Sequence, residues 1–102
     1  MHISANKLTG YLLSETHSVG RFKAKFFRSI GFSKTNSSSL KKEIIRIAQS
    51  NKVKEVVSTK HGKKYIIDGQ LHTPTGKRVE IRTVWIIEAE QIQPSFVTAY
   101  PL

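Results

Sequence analysis

His17-Ser18-Val19-Gly20-Arg21-Phe22-Lys23-Ala24 places an imidazole and a lysine at the head of a strongly basic segment. An unperturbed imidazole titrates at about pH 6.5, so His17 can take or give a proton near neutrality. With Val19 as origin and ~100° per residue, Phe22, Phe26 and Ile30 fall on one stripe and Arg21, Lys25 and Arg28 on the opposite side. Lys23 falls inside the apolar stripe, where it must snorkel, give up its proton or meet an anion such as a phosphate. Arg82 offers a phosphate a planar fork of donors. Thr98 and Tyr100 share one side of a strand-like run by period two. Metal-free RNA cleavage needs a base for the 2′-hydroxyl proton, an acid for the leaving 5′-oxygen and cations around the phosphorane, and these side chains can supply all three. Each also has a plainer role: surface or cap for His17, snorkelling for Lys23, an ion pair with Glu80 or Glu88 for Arg82, sheet cover for Thr98 and Tyr100.

The composition points the same way. The 102 residues carry 17 Lys and Arg against 7 Asp and Glu, a formal charge of +10. Such a chain favours a polyanion through counterion release and steering, nucleic acid first and an anionic membrane surface second. No apolar run approaches the ~20 residues of a spanning helix, and Met1-His2-Ile3-Ser4-Ala5-Asn6 lacks the regions of a signal peptide. The expectation is a soluble domain spanning 1–102. With no cysteine, disulfides and thiolate metal sites are excluded, and no cofactor motif is present.

The elements that must position these groups read as helices first and strands second. Lys7 to Leu13 predicts a short helix capped by Asn6 or Ser4. A second runs from Val19 to Ile30 and stops at Gly31. In a third, begun by caps in Asn36-Ser37-Ser38-Ser39, Leu40, Ile44, Ile47 and Ala48 form one face while Lys41, Lys42 and Arg46 lie off it; the serine run reads as a loop plus cap. After Asn51 the period shifts toward two, predicting strands over Val53 to Thr59, Tyr65 to His72, Arg78 to Ala89 and Ser95 to Tyr100. Connections this short cannot make parallel crossovers. The expected fold is therefore α+β, with N-terminal helices packed on a roughly four-stranded antiparallel β-meander.

His17-x-x-Gly20-x-x-Lys23-Ala24, with Gly62-x-x-Tyr65, Arg82-Thr83-Val84-Trp85 and the terminal Thr98-Ala99-Tyr100-Pro101, resembles a domain family found at the C-termini of bacterial polymorphic toxins and as small free-standing proteins. The order of helices then meander is similar to the barnase, EndoU, colicin and RelE ribonuclease superfold, in which several toxin nucleases end in a Thr-x-Phe/Tyr-Pro strand. The resemblance implies a toxin domain acting as a metal-independent endoribonuclease, with tRNA as a candidate substrate. It implies catalytic roles for His17, Lys23, Arg82, Thr98 and Tyr100, and RNA contacts from Arg21, Lys25, Arg28, Lys63, Lys64 and Arg78. It further implies an acidic cognate immunity protein or antitoxin, and a monomer apart from that complex. The place of action would be the cytoplasm of a target or host bacterial cell, reached as the C-terminal part of a secreted protein. Many relatives carry two close histidines where this chain has one in the motif.

Two other readings stay open. Asp68 and Glu80-Ile81-Arg82 loosely copy the Asp…Glu-x-Lys layout of metal-dependent nucleases, although Arg replaces Lys and no helix follows the third strand. A non-catalytic basic RNA-binding or protein-interaction module would explain the charge alone. Trp85, alternating with Ile81 and Ile87, reads as core, with base stacking as its other role. His61 belongs to a turn beside Lys60, Lys63 and Lys64, and His72 precedes another turn.

Overall fold

The computed structural model describes residues 1–14 and 20–102. Ser4 caps the first helix, α1 (Ala5–Lys7), its hydroxyl accepting from the Lys7 amide at 3.2 Å. The backbone then widens into a π-helical turn, Leu8–Leu12, closed by the Leu13 amide on the Leu8 carbonyl at 2.8 Å. This wider turn lets Leu8, Leu12 and Leu13 all reach the core while Tyr11 is left at its margin.

Helix α2 (Gly20–Ser29) ends at Gly31, whose φ of +102° suits glycine and lets the Phe32 amide reach back to the Phe27 carbonyl at 3.0 Å. Its buried face is Ala24, Phe27 and Ile30, not the expected Phe22–Phe26–Ile30 stripe. Phe22 is 68% exposed, and Phe26 packs edge-on against Phe27 with centroids 5.1 Å apart. The covered face is thus turned by about one residue, ~100°, from the predicted one. Both arcs are apolar, and what lies against the helix decides between them.

A capping box between Ser33 and Asn36 forms a 3₁₀ turn, Lys34–Asn36, ahead of α3 (Ser37–Ser50). The serine run therefore lies in the first turn of α3 and not in the loop. Leu40, Ile44, Ile47 and Ala48 are buried, the face read from the sequence.

Four strands follow, β1 (Glu55–Thr59), β2 (Gly62–His72), β3 (Arg78–Glu88) and β4 (Ser95–Pro101), paired antiparallel in chain order. The fold is α+β, helices packed on a four-stranded meander. Helix α3 crosses β2 and β3, and Gly69 makes that approach possible: a Cβ there would meet Asn51 Nδ2 at 2.7 Å and Ile47 Cγ2 at 2.8 Å. Under α3 lie Ile67, Leu71, Ile81, Thr83 and Trp85. Beneath the helix the polar side-chain atoms of Thr83 and Trp85 satisfy one another and the backbone: Thr83 Oγ1 donates to the Ile67 carbonyl at 2.7 Å and accepts from Trp85 Nε1 at 3.0 Å. Helices α1 and α2 pack by β4, whose first residues also pair with the N-terminal segment through the Phe96 amide and the His2 carbonyl at 2.8 Å. Val97 is the extra residue of a β-bulge, lying between the register pairs Val84↔Thr98 and Trp85↔Phe96.

Candidate active site

Alternation along β3 sends Ile81, Thr83 and Trp85 toward α3 and therefore Arg82 and Val84 to the opposite face. The register then builds cross-strand rows on that face. One runs Asp68–Arg82–Tyr100, and the next Ile66–Val84–Thr98.

In the first row Arg82 donates from Nε to Asp68 Oδ1 at 2.8 Å and from Nη2 to Oδ2 at 3.0 Å, a fork-on-carboxylate pair. Lys54, just before β1, adds its ammonium at 3.3 Å from Asp68 Oδ2. The hydrogen bonds from Arg82, and then Lys54, hold the Asp68 carboxyl below its usual range against a smaller opposing effect of burial. The hydrogen bonds that Arg82 makes to Asp68, and then to the Tyr100 hydroxyl, raise its already high value. Arg82 is thus a permanently charged guanidinium, oriented from one side by Asp68 and in contact with Tyr100 on the other. Its carboxylate partner is neither Glu80 nor Glu88, because the register sets Asp68 directly opposite it.

The second row acquires its chemistry from outside the sheet. Tyr11, presented by the π turn, places its hydroxyl 3.1 Å from Thr98 Oγ1. Lys23 of α2 donates to the same phenolic oxygen at 2.8 Å. The Lys23 ammonium lies 5.3 Å from the Tyr11 ring centroid and that of Lys7 lies 5.2 Å from it. Burial alone would push the phenol up, but hydrogen bonds from Lys23 and Thr98 and the charges of Lys23 and Lys7 outweigh it and lower it below its ordinary value. An open groove of about 340 Å³ lined by Ser4, Asn6, Lys7, Gly10 and Tyr11 adjoins the phenol.

Lys23, Thr98, Arg82 and Tyr100 are therefore gathered on neighbouring rows of one face. Half-buried Lys23 meets a phenol, a partner that its position in an apolar stripe did not suggest. Lys64 and Arg78 share the face of Arg82, whereas Lys63 alternates to the other side. Lys25 is exposed about 200° around α2 from Lys23, and Arg28 is half-buried near the end of that helix. His17 and the Arg21 side chain lie outside the described residues. Trp85 is fully buried, edge-on to Phe96 at 5.4 Å, and so cannot stack a base. Asp68 engages both carboxylate oxygens with Arg82 and Lys54, so its charge is already paired within the sheet. His72 serves the scaffold: Glu43 of α3 accepts its amide at 2.8 Å and both donors of Arg46 at 3.0 Å, clamping α3 to β2.

Sequence reasoning missed Tyr11 and Lys7. Their i, i+4 spacing in a short apolar segment reads as ordinary amphipathy, and a π turn leaves no local sequence signature. Such turns are nonetheless frequent at functional sites.

No helix among the described residues is long and apolar enough to cross a membrane. A chain from a contact-dependent growth inhibition toxin–immunity protein complex of Klebsiella pneumoniae 342 shares the fold, with a TM-score of 0.76 over 98% of each chain at 17% identity. No protein of curated function matches the sequence closely enough to count as a relative. Residues 1–102 match, over their whole length, the family described as "Domain of unknown function (DUF6883)", and the chain belongs to that family.

Proposed function

We propose that this chain is the toxin of a toxin–immunity pair and that it cuts RNA as a metal-independent endoribonuclease, with tRNA as a candidate substrate. The observation that carries the reading is the placement, by neighbouring rows of one sheet face, of two cations each bonded to a hydroxyl: Lys23 to Tyr11, which is itself bonded to Thr98, and Arg82 to Tyr100 as well as to Asp68. Arg82 and Lys23 would hold the scissile phosphate and stabilise the phosphorane. His17, in the segment leading into α2, would exchange the proton of the 2′-hydroxyl. Thr98 and Tyr100 would orient the phosphate oxygens. Lys64 and Arg78, on the same face, would extend the contact along the RNA backbone, with Arg21, Lys25, Arg28 and Lys63 adding charge around it.

The shared fold adds support, because the solved neighbour comes from a toxin–immunity complex. Of the two roles in such a pair, a net charge of +10 suits the toxin, which must bind RNA and can be covered by an acidic neutraliser. Delivery as the C-terminal part of a secreted protein and action in the cytoplasm of the target cell complete the reading, with the chain monomeric outside its immunity complex.

The test is incubation of the purified chain with total RNA, with and without EDTA, followed by mapping of the new ends. EDTA-resistant cutting that leaves a 2′,3′-cyclic phosphate and a 5′-hydroxyl is the expected result. Cutting abolished by EDTA would replace the proposal with a metal-dependent nuclease, and retention of RNA without cutting would leave a binding module.

A further inference from the structure

Two ammonium groups converge on one tyrosine at the margin of the proposed site. Lys23 donates to the Tyr11 oxygen at 2.8 Å, and the Lys7 ammonium lies 5.2 Å from the centroid of the same ring. The reaction as described gives Lys23 the scissile phosphate and gives Lys7 no part. Lys7 has no carboxylate partner among the described residues, so two like charges stand close together with no acid between them. A cleft lined by one sign of charge concentrates the opposite ion from solution. The groove of about 340 Å³ beside Tyr11 gives that ion room, with Lys7 and Asn6 on its walls. The Asn6 side-chain amide makes no hydrogen bond among the described residues. At Gly10, on the same groove, an added Cβ would meet nothing closer than Asn6 Oδ1 at 3.9 Å, so the space is open. Lys7 also lines a second cleft, of about 330 Å³, whose other walls include Ile86, Val97 and Glu88. Ile86 stands two residues, about 6.8 Å, along β3 from Val84, whose row carries Thr98 and through it Tyr11. A track thus leads from the Arg82 row past Tyr11 and Lys7 toward Ile86 and Glu88.

We propose that Lys7 and Asn6 hold the RNA phosphate next to the scissile one, which makes the groove beside Tyr11 a second phosphate subsite; this rests on the ribonuclease reading above. The Lys7 ammonium and the Asn6 amide are both donors, matched to the oxygens of a phosphodiester. Lys7 and Lys23, set about one tyrosine ring, then take neighbouring phosphates of a single strand. The phenol registers the positive field of the two: burial alone would raise it, but hydrogen bonds from Lys23 and Thr98 and the charges of Lys23 and Lys7 hold it below its ordinary value. Glu88, at the far side of the second cleft, would repel a further phosphate, so the anionic stretch ends at Lys7. Beyond it, Ile86 and Val97 offer the uncharged nucleoside an apolar wall. Such a contact fixes the position of the strand and carries no sequence information.

The probes are two uridine oligomers with 2′-O-methyl sugars, which lack the attacking hydroxyl and so stay uncut: UpU, with one phosphate, and UpUpU, with two. Their affinities are measured by NMR titration over a range of salt concentrations. Each phosphate neutralised on a single strand steepens the fall of log affinity with log salt by about 0.7. For the wild-type chain UpUpU must therefore bind more tightly than UpU, with a slope steeper by ~0.7. Lys7→Gln must erase that difference while leaving UpU as it was, and the retained UpU binding shows that the variant is folded. Gly10→Glu, which sets a carboxylate in the groove without altering Lys7, must also bring the two oligomers together. Lys41→Gln removes the same charge from the exposed side of α3, across the sheet, and must preserve the difference. A difference that survives Lys7→Gln, or that Lys41→Gln erases as well, would overturn the subsite. Equal weakening of UpU and UpUpU by Lys7→Gln would overturn it too. A wild-type chain that binds neither oligomer would instead overturn the reading of this face as an RNA site.

Discussion

Lys23→Met separates the chemistry of the site from its stability more cleanly than any other single change. Methionine keeps the length and the apolar stem while deleting the ammonium. The structural loss is one half-buried hydrogen bond to Tyr11 at 2.8 Å and one cation–π contact at 5.3 Å. A typical net hydrogen bond contributes about 0.5–1.5 kcal/mol and an exposed cation–π contact about 0.5–1 kcal/mol. A thioether beside an aromatic ring returns about 0.3–1.5 kcal/mol of this. The expected net destabilisation is therefore about 1 kcal/mol, which in a domain of this size lowers Tm by roughly 4–8 °C and leaves the population folded at room temperature. Activity should respond on another scale, because removing one preorganised donor from a developing oxyanion costs ~10²–10³ in rate. A third readout needs no RNA: deprived of the Lys23 hydrogen bond and charge, the Tyr11 phenol should titrate higher than in wild type. Carbon-13 labelling of the ring carbon bearing the hydroxyl in the three tyrosines, with Tyr11→Phe to assign the signal, measures this directly. Wild-type cleavage by a folded Lys23→Met chain would refute the phosphate role. An unmoved Tyr11 titration would refute the hydrogen bond from which that role is built.

Two further changes test how the scaffold holds the face in place. Gly69→Ala drives a methyl to within 2.7–2.8 Å of Asn51 and Ile47, so α3 must lift from β2; overpacking of this kind costs about 1–3 kcal/mol, measurable as a lower urea midpoint at unchanged slope. Burial opposes ionisation of Glu43 and hydrogen bonds from Arg46 and His72 overcome it, while at Asp68 the bonds from Arg82 dominate, so both carboxyls titrate lower folded than unfolded. Their contribution to stability is complete above the ordinary carboxylate values, about pH 4–5, and is lost as pH falls through the lowered folded values. Thermal melts between pH 6 and pH 2 should show Tm falling over that window, less steeply in Glu43→Gln; identical slopes would remove Glu43 as a source of the dependence.

What the sequence revealed follows the range of the interactions involved. The face of α3 was legible because Leu40, Ile44, Ile47 and Ala48 recur at helical spacing with lysines opposite, so a single apolar arc existed to be covered. In α2 two overlapping arcs existed, one through Phe22 and Phe26 and one through Ala24 and Phe27. Only the packing around that helix, made by distant segments, selects the second. Period two likewise placed Thr98 and Tyr100 on one side of β4, but alternation says nothing about which residues of other strands stand beside them. That depends on register, and a slip of one residue would have moved Asp68 to the α3 side. The search for a partner of Arg82 went to Glu80 and Glu88 within its own strand, whereas the partner stands across the hairpin.

Tyr11 shows the same limit at the site itself. Nothing in Lys7-Leu8-Thr9-Gly10-Tyr11-Leu12-Leu13 distinguishes this tyrosine from one that merely edges a core, because its chemistry is conferred by residues far along the chain. The π turn leaves it at the core margin, α2 sets Lys23 against its oxygen, and β4, at the far end of the chain, supplies Thr98. Lys23 is the half of this arrangement that local sequence could flag, since a cation in an apolar stripe demands a partner. Identifying that partner required the fold, because the two residues meet only when α2 and the π turn converge by β4. A lone charged residue on an apolar helical stripe is thus a pointer to a polar group on whatever packs against it. Here the group is a phenol held below its ordinary value by hydrogen bonds from Lys23 and Thr98 and by the charges of Lys23 and Lys7, so the lysine that the sequence left unexplained finds its partner in a tyrosine that the sequence did not single out.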